Sequence, residues 1–174
     1  MKRHIKRESG DPMIDKKVNR KLKLSADRKN YAVEPGDETF RNGMFKFHIT
    51  KLNEYIDKFT EKFHVVEIDV DEYYEHFGYR DMNPEYIESA DIKRPVLLAE
   101  IAPDRLHHGY PGITKDYYSR GYNLIDGHHR LAKAKEAGQA RLKAYLIPME
   151  QHSDYIYEGF ETYVEYWNSK LESC

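Results

Sequence analysis

Residues 121–147, GYNLIDGHHRLAKAKEAGQARLKAYLI, constrain the fold of this chain more than any other stretch. Asn123-Leu124-Ile125 is a short apolar strand, and Asp126-Gly127 is a turn signal. The run from Leu131 consists of strong helix formers and stops at Gly138, a good residue to follow a helix. Leu142 to Ile147 then make a further strand ending at Pro148. A helix of this kind points its N-terminus at the turn, where unpaired backbone N–H groups and the positive dipole end suit an anion. Arg130 and Lys133, three apart, are predicted to add charge on one face, and phosphate is the expected guest.

The rest of the chain fits around this segment. Phe45, Phe47 and Ile49 alternate with Lys46 and His48, which predicts a strand over 40–49 with one wet face and His48 exposed on it. Thr50 is the expected N-cap of a helix to about Lys62, carrying Leu52, Tyr55, Ile56 and Phe59 on its apolar side. A strand over 64–70 leads to a helical turn capped by Asp69 or Asp71, in which Tyr73-Tyr74 read as packing residues before base-stacking ones. Pro84 is the expected first residue of a short helix to Ala90. Val96 to Ala102 reads as a strand buried on both faces, with Glu100 the anomaly: an ion pair, an exposed end or an active-site acid. Residues 103–120, with His107 and His108, lack periodicity and read as a candidate lid. From Met149 onward Tyr155, Ile156, Phe160, Tyr163, Val164 and Trp167 recur at helical spacing.

Charge is distributed unevenly along the chain. The formal net is only −2, yet residues 1–30 carry eleven Lys or Arg against four acids, whereas the tail from Met149 has six acids against Lys170. The basic arm is a solvated terminus or a contact to nucleic acid, and the acidic tail is its natural partner within the chain or across a homodimer. The sole cysteine, Cys174, cannot form an internal disulfide or a thiolate metal site, which is compatible with a cytoplasmic location. No apolar run suggests a membrane partner. His107-His108 and His128-His129 could converge, but side-by-side histidines rarely share an ion, so no dedicated metal site is expected.

Residues 121–147 resemble the signature of the ParB N-terminal domain and its relatives in the ParB/sulfiredoxin fold, while Pro95 to Ile101 and Val65 to Asp71 resemble its preceding strands. The resemblance implies an α/β (α+β) domain, a small mixed sheet with flanking helices, here with a C-terminal amphipathic helix appended. The expected division is a basic arm and loop over 1–39, the ParB/sulfiredoxin-like domain over 40–149 and an acidic helix over 150–174. It further implies a nucleotide-phosphate turn at Gly127, His128, His129 and Arg130, with Lys133 nearby. Sulfiredoxin chemistry needs a cysteine where His128 stands, and the residues after Ile147 cannot hold a partitioning protein's DNA reader and dimerisation domain. What survives is a stand-alone nucleotide-binding or catalytic domain, and the leading expectation is a nucleotide-dependent phosphotransferase taking ATP, ADP or CTP with Mg²⁺ and an unknown small-molecule acceptor. Asp126, His128, His129 and Glu100 are the candidate catalytic groups. The alternatives are a ParB-like nuclease or DNA-associated module, a nucleotide sensor without catalysis, and a plain capping turn.

Overall fold

The computed structural model describes residues 20–79, 81–103 and 117–172. Among them the chain forms a mixed α+β fold with two small sheets. The larger sheet contains β3 (His64–Asp69), β4 (Val96–Glu100), β5 (Tyr122–Asp126) and β6 (Arg141–Ile147) in the order β3-β6-β4-β5. Only the β4–β6 pairing is parallel. The smaller sheet joins the hairpin β1 (Thr39–Asn42) and β2 (Phe45–His48) to β7 (Ile156–Glu158).

The period of two along the buried strand β4 divides the core. Leu97 and Ala99 join Ile125 and Ile147 in a cluster under the smaller sheet, α1 (Ile49–Lys58) and α6 (Phe160–Glu172). Val96 and Leu98 join Leu124, Leu142 and Ala144 beneath α2 (Val70–Phe77) and α4 (His128–Glu136). The expectation of a strand buried on both faces is met, since all of β4 is buried. No helix among the described residues is long and apolar enough to cross a membrane.

Four sequence expectations are corrected. Residues 40–49 form a hairpin turned by Gly43 (φ 61°), and Ile49 already belongs to α1. His48 is fully buried, and it, not Thr50, caps α1: its Nδ1 accepts the Lys51 N–H, so Nε2 carries the proton and donates to Ala32 O at 3.1 Å. Alternation alone assigns His48 to the wet face of a flat strand, but the ring is enclosed by the Ala32 carbonyl, Asp37 and the Tyr157 ring. The α1 helix ends at Lys58, short of Lys62, where a 3₁₀ turn (Thr60–Lys62) follows.

The tail is not one helix. A short α5 (Met149–His152) and a 3₁₀ turn (Ser153–Tyr155) lead into β7, and α6 starts only after Gly159. Gly159 has φ 77° and passes so close to Met44 that a side chain there would strike the Met44 carbonyl. Tyr155 and Ile156 are buried as expected, but Ile156 is buried by pairing with Phe47 in the sheet. Asp69 caps α2 through the Glu72 N–H, and Tyr73 is fully buried, its hydroxyl accepting the Tyr117 N–H at 2.8 Å. In the α3 helix (Pro84–Ser89), Pro84 stands at the first position.

The arm and tail meet within the chain at the arm's described end. Arg20 Nε donates to Glu150 at 2.7 Å, and Asn168 holds both the N–H and the carbonyl of Leu22. Arg28 donates to the carbonyls of Ser153 and Ile156 and lies over the Phe160 ring. Residues 1–19, the rest of the basic arm, lie outside the described residues.

Candidate functional site

The turn between β5 and α4 is built by a glycine at a position where any side chain would be strained and crowded. Gly127 is the N-cap of α4 with φ 105° and ψ 20°, a left-handed conformation that L side chains avoid. A Cβ there would lie 2.5 Å from Val96 Cγ1 and 2.9 Å from Arg130 Nη2. The helix begins at His128, three residues before the helix-forming run, and no side chain caps it. The N–H groups of its first turn therefore remain available at the end of the dipole where an anion is favoured.

Asp126, at the end of β5, is oriented from two directions. Arg130 Nη2 donates to its Oδ2 at 3.1 Å, and Asn53 Nδ2 donates to the same oxygen at 3.0 Å. Asn53 projects from α1, and its Oδ1 accepts from Arg94 Nη2 at 2.9 Å; the same nitrogen reaches Asp57 Oδ1 at 3.1 Å. A guanidinium only donates and a carboxylate only accepts, which settles the orientation of the Asn53 amide between them. The result is a continuous polar chain, Asp57–Arg94–Asn53–Asp126–Arg130, joining α1, the residue before Pro95, β5 and α4.

This chain forms one wall of an open cleft of about 860 Å³ that also exposes Gly127, His129, Tyr86 and Thr50. Five carboxylates, Glu38, Glu54, Asp57, Asp91 and Asp126, line it against Arg94 and Arg130. The arginines neutralise Asp57 and Asp126 and Lys51 pairs with Glu54, so Glu38 and Asp91 leave the cleft negative. A bare polyanion would meet repulsion there, whereas one carrying a divalent cation would not.

The other predicted residues separate. His129 is half-buried on the cleft wall, its ring edge-on to Tyr86 with centroids 5.7 Å apart. His128 lies between the rings of Phe40 and Tyr79, at 5.2 and 4.7 Å. Burial lowers its pKa to about 4 against the pull of Asp126, with His129 and Arg130 adding to the fall, so it is neutral near pH 7. Lys133 is not a free cation for a ligand: its Nζ donates to Glu88 O at 2.6 Å and Ala90 O at 2.8 Å, closing the end of α3.

Glu100 does not reach the turn. The β4–β5 register pairs Leu97 with Asp126 and Glu100 with Tyr122, which puts the two carboxylates at opposite ends of the ladder. Glu100 is buried, and the reading of it as a satisfied ion pair holds: Arg20 grips both oxygens and the Met149 N–H donates to Oε1 at 3.2 Å. Burial raises its carboxyl above the usual range, opposed by the Arg20 hydrogen bonds. Its backbone carbonyl accepts from His152 Nε2 at 2.6 Å and Tyr163 Oη at 3.0 Å. His107 and His108 lie outside the described residues, as does most of the candidate lid. Among the described residues no group of three or more His, Cys, Asp or Glu is arranged to hold a metal ion.

Asn53, Asp57, Arg94 and Tyr86 were not singled out by the sequence. The available signal was slight: Asn53 and Asp57 stand four apart on the polar side of α1, and Arg94 precedes the proline that opens β4. No family model, curated protein or solved structure matches the chain, so the site rests on its own geometry.

Proposed function

We propose that this chain is a nucleotide-binding, ParB-like domain protein that acts as a phosphotransferase on a small molecule. The observation that carries the reading is the uncapped N-terminus of α4, opened by Gly127 at φ 105° into a cleft walled by Arg94 and Arg130. In this reading the first-turn N–H groups and Arg130 hold phosphate oxygens. Asp126, oriented by Asn53 and Arg130, accepts the proton of the acceptor hydroxyl. His129 lines the same cleft and, in this reading, donates a hydrogen bond to developing charge. His128, neutral and stacked, orients the first turn of the helix.

In this reading Mg²⁺ arrives with the nucleotide, and Glu38 and Asp91, cleft acids that no arginine among the described residues neutralises, would offer it hard oxygens, since such sites need only one or two carboxylates beside the phosphates. The ion would screen phosphate charge during transfer. Glu100 takes no part, since its carboxylate is sealed by Arg20. The nuclease alternative leans on the basic arm, yet Arg20 and Arg28, within the arm's described part, are already engaged by the C-terminal region.

Thermal shift with ATP, ADP and CTP, with and without Mg²⁺, tests the proposal: a ligand bound only by the native state raises Tm. A rise that requires Mg²⁺ is the expected result. A folded preparation indifferent to every nucleotide refutes it. Turnover of bound nucleotide against a panel of hydroxyl-bearing acceptors then separates transferase from sensor, and plasmid cleavage that is abolished by His129→Ala would favour the nuclease.

A further inference from the structure

The proposed phosphate site leaves one prominent cleft residue unexplained. Tyr86 is 62% exposed, more than most large apolar side chains here, although it lies on a short helix that is held unusually firmly. Asn83 caps that helix through the Glu85 N–H at 3.0 Å, Ile87 anchors it in the core, and Lys133 fastens its last carbonyls to α4. Its position is therefore set by the same helix whose N-terminus opens the cleft. The ring stands at 77° to that of His129 with centroids 5.7 Å apart, so the two form a corner where the exposed tyrosine lines the cleft.

We infer that Tyr86, braced by its T-shaped contact with His129, is the stacking surface of a corner for the heterocyclic base of a nucleotide, and that the ligand's ring, not only its phosphates, is recognised in this cleft. The inference rests on the proposed phosphate turn, which supplies the other end of the ligand. An exposed tyrosine on a pre-fixed helix offers a flat apolar surface with little entropy left to lose on binding. Aromatic stacking of a base is sequence-tolerant, so the corner selects a planar ring over an aliphatic group rather than one base over another.

Calorimetry with ATP, CTP and inorganic tripolyphosphate, each with Mg²⁺, on the wild-type protein, Tyr86→Ala and Tyr86→Trp tests the assignment. The nucleotides should bind the wild type more tightly than tripolyphosphate. Tyr86→Ala should weaken them about tenfold while leaving tripolyphosphate unchanged, and Tyr86→Trp should restore them. Full nucleotide affinity in Tyr86→Ala, an equal loss for all three ligands, or nucleotide binding no tighter than tripolyphosphate overturns the stacking corner and leaves the phosphate turn standing. Failure of every ligand to bind the folded wild type overturns both.

Discussion

Asp126 and Glu100 stand on neighbouring antiparallel strands, each held by an arginine, yet they belong to opposite kinds of structure. Asp126 pairs with Arg130 four residues onward and keeps 19% of its side chain accessible at the edge of a cleft. Glu100 pairs with Arg20 from eighty positions away, keeps 2%, and is roofed by α5 and α6. A pair formed within one turn orients a carboxylate without enclosing it. A pair closed by a distant segment removes the carboxylate from water, so its main effect is on folding. One end of the ladder stays open to a cleft and the other seals a core.

The largest effect that would break this contrast is expected at the turn itself. Gly127→Val must place a branched side chain at φ 105° against Val96, and should cost on the order of 4 kcal/mol in urea unfolding. A cost below about 1 kcal/mol would mean that the turn readily refolds around the new residue.

The sealed end should show itself through pH. His152 is fully buried, and burial lowers its pKa to about 4 from an ordinary value of 6.5. Its Nε2 donates to the Glu100 carbonyl, and Nδ1 has no hydrogen-bond partner among the described residues. The unfolded chain takes up the proton first, so this contribution is intact above pH 6.5 and is lost as pH falls toward 4. The loss should amount to about 3 kcal/mol. Urea titrations at pH 7, 5.5 and 4 should show this decline in the wild type and a flatter profile in His152→Gln.

Two matched substitutions sharpen the comparison further. Glu100→Gln weakens the Arg20 contact in a buried setting and should cost about 2 kcal/mol, while any thermal response of the wild type to nucleotide with Mg²⁺, as proposed, should persist in full in the folded variant. Under the proposed function, Asp126→Asn should cost about 1 kcal/mol or less and yet abolish phosphoryl transfer, because the proposed general base is gone. If Glu100→Gln abolished transfer and Asp126→Asn spared it, the roles assigned to the two ends would be reversed.

Much of this was legible before folding was considered. The Gly127 turn, Pro84 at the start of its helix, the Asp69 cap and the apolar core of β4 depend on residues close in sequence, whose preferences tertiary packing did not override. His48 was misread because alternation reports a strand's faces but not what covers them. The tail was misread because Tyr155 and Ile156 fit a helical spacing while the close approach of Gly159 to Met44 diverts the chain into the sheet. Lys133 looked like a ligand for phosphate, since nothing local indicates that the carbonyls of Glu88 and Ala90 would take its protons.

By itself the sequence determined that a glycine turn crowded with ionisable groups would open a helix between two strands, because turn chemistry, helix propensity and strand patterning act over a few residues. Only the tertiary structure decided which charges face that turn. Asn53 and Arg94 reach it from separate elements, Glu100 is withdrawn to the far end of the ladder, and Tyr86 is carried to the cleft by a helix fastened to α4. These are long-range placements fixed by core packing and backbone hydrogen bonding, and no local preference encodes them.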